Sequence, residues 1–536
     1  RQVAKKLDGV IVALVEECQA HPNADRLRVC SVRVSESETV QVVCGAANVR
    51  KGLKVALVQV GAVLPGGFKI KKSRIRDVDS HGMICSESEL GLSAESDGIM
   101  ELPESTPLYR PLLEALNLSD EIWDVELTPD RADCLSHKGL AREFSRLLGF
   151  SSVNDLEVDE LNHSGQGDIP LVKVEVLDEK ACPIYGAQLF EGIENGKSPD
   201  WLRRRLELLG LRSHDILVDV TNFVMMEVGQ PMHSFDADKV SGSKLIVRRA
   251  KEGEKLVTLD EIERKLTTDD LVIADIEKVL ALAGVMGGLE SAVTASTSRV
   301  ILESAYFDPD IVRSMVARHH LHSDSSHRFE RGIDPSQIDL AAARTAFYFK
   351  RLAKARKRGS FQFWKSSVSE KLFEKKVINL DLREFKNTVG IDLSCADVSK
   401  LLVPLGFVCE EKSTNVCRIL VPLHRVDILR EIDLIEELAR VHGFDKIPVR
   451  YPPQKKSFEG LRSANYHMVR DLRRQMLKGG LTEIMPYSFI SEKEKKWLPN
   501  VKFVELANPL TQDWKFLRPN LTFGLLKNIS HHLSLN

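Results

Sequence analysis

The length of the chain is its strongest constraint, because 536 residues are too many to fold around one hydrophobic core. Hydrophobic cores stop growing near about 250–300 residues, and domains average roughly 100–200 residues. The hydrophobic pattern also changes along the chain, from short alternating runs to mixed helix and strand patterns. We therefore expect about four domains and a multidomain α+β fold.

Composition excludes several classes of protein. Charged residues make up 28% of the chain and the formal net charge is −2, so any nucleic-acid-binding surface must be regional. The longest apolar run, VLALAGVMGGL, is much shorter than the roughly 20 residues that cross a bilayer, so we expect core and no membrane span. Nine cysteines without a CxxC pair favour a reduced, cytoplasmic protein. No secretory leader is visible, and we expect sequence to be missing at both ends.

Short alternating runs between Gly9 and Leu102 predict many short strands, in a small closed barrel or a sandwich. The stretch HPNAD is typical of a turn. The segment FKIKKSRIRD then interleaves cations with apolar residues, and on a strand most of these cations would share one solvent face. Such a face suits a phosphate backbone, or it is an edge strand protected by lysines. The cations are Lys69, Lys71, Lys72, Arg74 and Arg76.

The rest of the chain contains three further patterned regions. One helix is predicted in TPDRADCLSHKGLAREFSRLLG, and the polar linker NHSGQGD after it marks a boundary. Residues 172–350 mix strand and helix patterns. Residues 373–447 predict a strand, a helix capped by Ser394 with Asp397 three residues on, a strand pair, and a helix from Ile428 to Val441.

An acidic helix and a histidine cluster are the two candidate sites in the second half of the chain. The pattern predicts Asp427 at the helix N-cap, and Asp433, Glu436 and Glu437 within about 100° of one another. Magnesium would relieve their repulsion, although a cap, a helix ion pair and a solvated face also account for every charge.

The histidine cluster lies in RHHLHSDSSHRFERG, residues 318–332. Its histidines lack the i, i+4 spacing of zinc helices, and no cysteine is near. No GxSxG elbow signals a covalent nucleophile elsewhere. The segment is therefore either the lining of a polar pocket or a hydrogen-bonded loop.

Seven long motifs, in order along the chain, resemble one family, the β subunit of bacterial phenylalanyl-tRNA synthetase. They are HPNADRLRVC, CGAANVRKGLKVALVQVGAVLPGG, SHGMICSESELGL, DVTNFVMMEVGQPMHSFD, AGVMGG, SDSSHRFERGIDP and REIDLIEELARVHGFDKIP. The resemblance covers nearly the whole chain. It departs from the family at His214–Ile216, where relatives tend to show an Ile-Asn-Asn run.

The resemblance implies five regions. They are an OB-fold β-barrel that binds tRNA (1–112), a helical segment and linker (113–171), an α+β editing domain of B3/B4 type (172–360), a small α/β domain of B5 type with the acidic helix (372–450), and the start of a non-catalytic, antiparallel fold similar to class II synthetases (455–536).

The resemblance also implies an editing site. An apolar pocket rejects an added hydroxyl only on the order of 10²-fold, so a second site is needed to remove tyrosine from tRNA(Phe). Glu303 matches the residue that accepts the tyrosine hydroxyl, and Thr221 and His233 match residues around the scissile ester. Ser323 and Ser325 match small polar positions that shape the pocket. We expect a water to attack the ester, positioned by His233 and by the terminal ribose hydroxyl of the tRNA.

Partners and cofactors follow from the same resemblance. An α subunit would bind ATP and charge tRNA(Phe) within an α2β2 heterotetramer. Mg²⁺ would be shared with that subunit through Asp427, Asp433, Glu436 and Glu437. The rival interpretations are a non-catalytic tRNA-binding scaffold with a vestigial editing pocket and a free-standing editing hydrolase.

Overall fold

The computed structural model describes residues 2–3, 7–92, 98–116, 120–149, 156–161, 171–449 and 464–535. They fall into two compact units, Arg1–Pro448 and Val449–Asn536. Within these ranges no helix is both long and apolar enough to span a bilayer. The predicted linker at 162–168 lies outside the described residues.

The N-terminal region is built on an antiparallel sheet in the order β4-β3-β2-β5-β8, with β9 also paired to β5. Alternate side chains of these strands fill two hydrophobic clusters, as the alternating sequence runs predict. The pairings follow an open path, so the many short strands are confirmed and the closed barrel stays a prediction. The elements are β1 (Gln2–Val3), β2 (Val10–His21), β3 (Ala24–Arg33), β4 (Thr39–Cys44), β5 (Lys54–Val58), β6 (Ser73–Ile75), β7 (Val78–Ser80), β8 (Met83–Ile84), β9 (Glu101–Leu102), α1 (Leu112–Ala115) and β10 (Asp120–Glu121).

The helix predicted after this region is present as α2 (His137–Leu148). Ser136 caps its N-terminus by accepting a hydrogen bond from the Gly139 amide, and Gly149 ends it in the left-handed conformation.

Two large sheets, the two-stranded pair β15–β16 and a layer of helices form the next region. A mixed sheet has the order β11-β14-β17-β18-β19, and an antiparallel sheet has the order β13-β20-β12-β21. The elements are β11 (Lys173–Val176), β12 (Ile184–Glu191), α3 (Asp200–Leu208), α4 (Ile216–Val228), β13 (Met232–Asp236), β14 (Lys244–Arg249), β15 (Lys255–Val257), β16 (Glu263–Lys265), β17 (Leu271–Ala274), β18 (Val279–Leu282), β19 (Met286–Gly287), β20 (Arg299–Tyr306), α5 (Pro309–His319), α6 (Asp324–Phe329), α7 (Gln337–Leu352) and β21 (Arg356–Lys365).

Strand β20 shows how the layers are arranged. Ile301 and Ala305 belong to the core shared with the mixed sheet. Val300 and Leu302 belong to the core shared with α3, α4 and α7. Because side chains alternate along a strand, Glu303 lies on the face between the two sheets. The apolar run that begins at Val279 lies in this core, as expected.

Residues 370–448 form a third part of the first unit. A three-stranded antiparallel sheet packs against helices around its own core. The elements are α8 (Glu370–Phe373), β22 (Val377–Asp381), α9 (Leu382–Val389), α10 (Cys395–Leu402), β23 (Val408–Ser413), β24 (Val416–Leu420) and α11 (Glu431–His442). The predicted Ser394–Asp397 capping box is confirmed at the start of α10. Cys395 and Cys417 form a disulfide, which the expectation of a reduced protein missed because the two residues, 22 apart in sequence, meet only in the folded core of this region.

The described residues of the second unit form an antiparallel strand pair and three α-helices. Ile490, Phe516 and Phe523 form a small core in this unit. Its elements are α12 (Ala464–Lys478), β25 (Phe489–Ile490), α13 (Glu492–Lys495), β26 (Phe516–Leu517) and α14 (Thr522–Leu535).

Candidate active site

His233 and Glu303 lie directly opposite each other on the adjacent antiparallel strands β13 and β20. Paired residues point to the same face, so both side chains lie between the two sheets. Ala187 of β12 pairs with Glu303 from the other side. Two residues before it, Tyr185 donates a hydrogen bond from its hydroxyl to Glu303 Oε2 over 2.7 Å. The sheet therefore places an acceptor, a base and a phenol on one face.

Burial shifts the pKa values of these two groups in opposite directions. Desolvation raises the pKa of Glu303 to about 7, although the Tyr185 hydrogen bond acts against the shift. Desolvation lowers the pKa of His233 to about 4. His233 is therefore neutral at pH 7, and its buried Nε2 has no hydrogen-bond partner among the described residues. A neutral imidazole with an unpartnered ring nitrogen can orient a water, while a pKa near 4 makes it a weak base at pH 7.

Gly287 of β19 lies against the His233 ring. A Cβ at this position would be 2.4 Å from His233 Cε1 and 2.7 Å from Nε2, so any side chain here would push the imidazole out of its position. The glycine thus fixes how closely the mixed sheet approaches the imidazole.

The two predicted serines act on the same loop. Ser323 donates from Oγ to the Val285 carbonyl over 2.7 Å, and Ser325 donates to the Gly284 carbonyl over 3.3 Å. Ser323 also caps α6 in a capping box with Ser326. The serines therefore hold the AGVMGG loop that presents Gly287 to His233.

Thr221 is placed differently. It lies on α4, whose core contacts are on the opposite face of the antiparallel sheet from Glu303, and its hydroxyl donates to the Val218 carbonyl of its own helix. Asp215 caps α4 through the Val218 amide, so the departure at 214–216 keeps a helix start there. No hydrogen bond joins Thr221 to His233 or Glu303 among the described residues, and its place in the editing site stays a prediction.

The histidine cluster is structural in the described residues. His319 Nε2 lies 3.0 Å from the fully buried Asp270, which also pairs with Arg318. Arg331 lies 3.0 Å from His327 Nδ1. His320 ends α5 in the left-handed conformation. These contacts are those of a polar segment held by ion pairs and hydrogen bonds, and both alternatives for the segment stay predictions.

The acidic helix is arranged around Arg425. This guanidinium donates to Asp427 over 2.9 and 2.7 Å and also bonds Glu437. Arg440 donates two hydrogen bonds to Glu437, over 2.9 and 2.8 Å, and a third to Glu143 of α2 over 3.0 Å. Although burial opposes ionisation, the hydrogen bonds from Arg440 and Arg425 lower the pKa of Glu437 to about 2.

These contacts do not assemble the predicted magnesium ligands. Asp427 and Glu437 form ion pairs with Arg425, whereas Glu436 is exposed on the helix surface. Among the described residues, the one group of three ligand atoms within 4.8 Å of one another is Asp133, Cys134 and Glu143. Arg131 donates to all three of those side chains, so a cation already fills that position. As arranged, neither set fits a magnesium ion.

The predicted start of the acidic helix was wrong by three residues. Helix α11 begins at Glu431 with Arg430 as its N-cap, and Asp433 accepts hydrogen bonds from the Leu429 and Arg430 amides. Asp427 is held before the helix by its ion pair with Arg425, so it cannot serve as the cap.

Replacing Asp433 with alanine should destabilise α11 by about 1 kcal/mol, because two amides at the helix start lose their acceptor. Hydrogen exchange of the first-turn amides measures this loss. Glu436→Ala, at the exposed neighbouring position, is the control and should change exchange by much less. Equal protection in both variants would contradict the capping role.

The predicted basic strand is instead a loop and a hairpin. Only Ser73–Ile75 is extended, as β6, and the chain reverses at Arg76 and Asp77, whose φ angles are 46° and 70°. Pairing of β6 with β7 therefore ends the alternation that a continuous strand requires. All five predicted cations are exposed, namely Lys69, Lys71, Lys72, Arg74 and Arg76.

The HPNAD stretch holds this hairpin in place. The predicted turn is confirmed between β2 and β3, where His21 ends β2. The buried His21 ring lies 3.1 Å from the Ile75 carbonyl through Nε2, and Asn23 donates to the Arg76 carbonyl over 3.3 Å. A turn thus fixes the position of the exposed cations.

Sequence reasoning missed Tyr185, Gly287 and Arg425, each of which contacts a predicted site residue. Tyr185 lies in none of the quoted motifs. Gly287 lies in AGVMGG, but the motif gives no sign that this glycine packs against His233, because that contact forms only between assembled strands. The position of Arg425, two residues before Asp427, was the one available signal of an ion pair.

Four family models match the chain. They are the B3/4 domain at residues 181–354, the putative tRNA binding domain at 10–109, the tRNA synthetase B5 domain at 378–444, and the phenylalanyl tRNA synthetase beta chain CLM domain at 447–536. The His233–Glu303 pair lies within the B3/4 match.

Curated relatives agree with these models. The phenylalanine–tRNA ligase beta subunit of Geobacter metallireducens is 42% identical, covering 99% of this chain and 67% of that protein. The subunit of Geobacter sulfurreducens is 41% identical, covering 100% of this chain and 66% of that protein. The chain thus spans about two thirds of the length of these relatives.

Among solved structures, an N-terminal fragment of the phenylalanyl-tRNA synthetase beta-subunit from Pyrococcus horikoshii is 16% identical with a TM-score of 0.31, covering 60% of this chain and 90% of that chain. A likeness at this level carries no argument. The domain matches and the near-complete alignment with the curated relatives are sufficient: the chain belongs to the family of phenylalanine–tRNA ligase beta subunits, which are subunits of an aminoacyl-tRNA ligase.

Proposed function

We propose that this chain is the tRNA-binding and editing subunit of a cytoplasmic phenylalanine–tRNA ligase, and that it hydrolyses mischarged Tyr-tRNA(Phe). The observation that carries the proposal is the His233–Glu303 pair. The two residues are register partners on one face, and burial raises the pKa of the carboxyl and lowers that of the imidazole. Such opposed shifts mark the acid and base groups of active sites.

In the proposed reaction, Glu303 accepts a hydrogen bond from the hydroxyl of a bound tyrosyl group. His233 positions a water against the ester carbonyl. The imidazole is neutral at pH 7, so its unpartnered Nε2 can accept a proton from that water or orient it. The terminal ribose hydroxyl of the tRNA helps to position this water. The water oxygen bonds to the carbonyl carbon, the ester C–O bond breaks, and the proton lost by the water goes to the released ribose oxygen. Free tyrosine and tRNA then leave, and no covalent enzyme intermediate is required. Ser323 and Ser325 act indirectly, through the loop that holds Gly287.

The remaining activities are assigned to a partner. An α subunit would bind ATP and charge tRNA(Phe) in an α2β2 assembly, while the exposed cations near β6 contact the tRNA backbone. The magnesium site across Asp427, Asp433, Glu436 and Glu437 stays a prediction for that assembly. It would require Arg425 to release two carboxylates, so no step of the proposed reaction depends on it.

Release of tyrosine from Tyr-tRNA(Phe) by the assembled ligase tests the proposal. His233→Ala and Glu303→Ala should each lower the rate about 10²-fold, because one loses the base and the other the hydroxyl acceptor. Aminoacylation with phenylalanine, measured on the same preparations, is the control and should be retained.

Full tyrosine release by both variants would remove the editing assignment. An inactive wild-type complex that still binds tRNA would instead support the scaffold with a vestigial pocket.

A further inference from the structure

We propose that Tyr185 is a positioning residue of the editing site: its phenol holds Glu303 Oε2 and leaves Oε1 as the acceptor for the substrate's hydroxyl. This inference rests on the proposed function and deepens it. The phenol of Tyr185 would thus bind one oxygen of the Glu303 carboxyl, and the phenol of the substrate would bind the other.

The sheet register makes this contact a fixed one. Tyr185 pairs with Ala305 on β20, two residues beyond Glu303, so the phenol reaches the carboxyl along the diagonal between neighbouring strands. Tyr185 is fully buried in the core between the two sheets. Close packing therefore holds the ring, and its hydroxyl meets Glu303 Oε2 at 2.7 Å.

The other carboxyl oxygen is left for a ligand. Oε2 accepts from Tyr185, and no described residue donates to Oε1. Ala187, the register partner of Glu303, presents only a methyl group on this face, and Gly287 presents no side chain to His233. Small residues therefore flank the acceptor on β12 and the base on the mixed sheet.

The hydrogen bond also influences the charge of the acceptor. Burial raises the pKa of Glu303, and the Tyr185 hydroxyl acts in the opposite direction by bonding the carboxylate. The titratable groups around Glu303 are Tyr185 on β12, the buried Cys182 just before that strand, and His233 on β13. Without the hydroxyl, Glu303 would stay protonated to higher pH and would lose acceptor capacity at pH 7.

Replacement of Tyr185 by phenylalanine in the assembled ligase tests this inference. We measure KM and kcat for Tyr-tRNA(Phe) deacylation between pH 5.5 and 8.5. The wild-type rate should rise with a midpoint near pH 7 as Glu303 ionises. In Tyr185→Phe we expect a midpoint about one unit higher and a KM about tenfold higher at pH 7.

Tyr306→Phe is the matched control, since it removes a phenol from β20 itself and leaves the Glu303 contact intact. A second control places Tyr185→Phe in a Glu303→Gln background, where the rise near pH 7 should be absent and Tyr185→Phe should leave the pH profile unchanged. Thermal unfolding midpoints identify any variant that fails to fold.

The outcomes separate the two proposals. An active wild type in which Tyr185→Phe behaves like Tyr306→Phe would overturn this inference and leave the editing function standing. A wild type that releases no tyrosine would overturn the editing function and this inference with it. A change of the pH profile that Tyr185→Phe still causes in the Glu303→Gln background would also overturn it, because Tyr185 would then act through another group.

Discussion

Replacement of Arg425 by alanine is expected to destabilise the domain at residues 378–444 by about 3–5 kcal/mol. Arg425 is 3% exposed and bridges Asp427 to Glu437, which is itself 3% exposed. Removing one partner of a buried ion pair leaves an uncompensated charge in a poorly solvated site. Glu437 would keep only Arg440, and Asp427 would lose both of its hydrogen bonds from Arg425.

Hydrogen exchange of the α11 amides measures this effect, because exchange reports the stability of one region in a chain of several domains. Arg418→Ala is the matched control. Arg418 lies on β24 and pairs with Glu410 at the surface, where such pairs contribute about 0–1 kcal/mol. Equal effects of the two substitutions would contradict the role given to Arg425.

The same variant examines the magnesium prediction. If Asp427 and Glu437 serve the arginine network alone, added Mg²⁺ should not restore the stability that Arg425→Ala loses. Restoration at millimolar Mg²⁺ would mean that the freed carboxylates bind a cation, and would support the site predicted from the family resemblance.

Helix starts could be predicted from the sequence where the capping side chain bonds a backbone amide only a few residues away. Ser394 with Asp397 at its fixed spacing gave the start of α10 correctly. The same reasoning failed at Asp427, because an arginine two residues earlier competes for the carboxylate more strongly than a backbone amide does. An N-cap is thus predictable from the sequence unless a nearby charged side chain binds the capping carboxylate instead.

Strand pairing was the harder part to predict. The alternating pattern FKIKKSRIRD is that of one strand, yet the left-handed residues Arg76 and Asp77 turn the chain back on itself. Nothing in the periodicity signals this reversal. The family resemblance named His233 and Glu303, but their register, and the approach of Tyr185 and Gly287, exist only once β12, β13, β19 and β20 have assembled.

Glu303→Gln should raise the free energy of unfolding of the domain at residues 171–365, relative to wild type, by more at pH 8 than at pH 5. The folded pKa of Glu303 is about 7, raised from an ordinary value of 4.5 by burial. Folding therefore binds a proton, and this contribution is fully present below pH 4.5 and is lost as the pH rises through 7. Glutamine does not titrate, so it avoids the cost of ionising a buried carboxyl.

The difference in free energy of unfolding between the variant and wild type should increase by roughly 2–3 kcal/mol from pH 5 to pH 8, since one pKa unit corresponds to about 1.4 kcal/mol. Calorimetric unfolding of the two proteins at both pH values gives this change. Glu263→Gln, at an exposed position of β16, is the control and should show little change. A pH-independent difference for Glu303→Gln would mean that Glu303 titrates normally, and a carboxyl so exposed to water could not discriminate a substrate hydroxyl by desolvated hydrogen bonding.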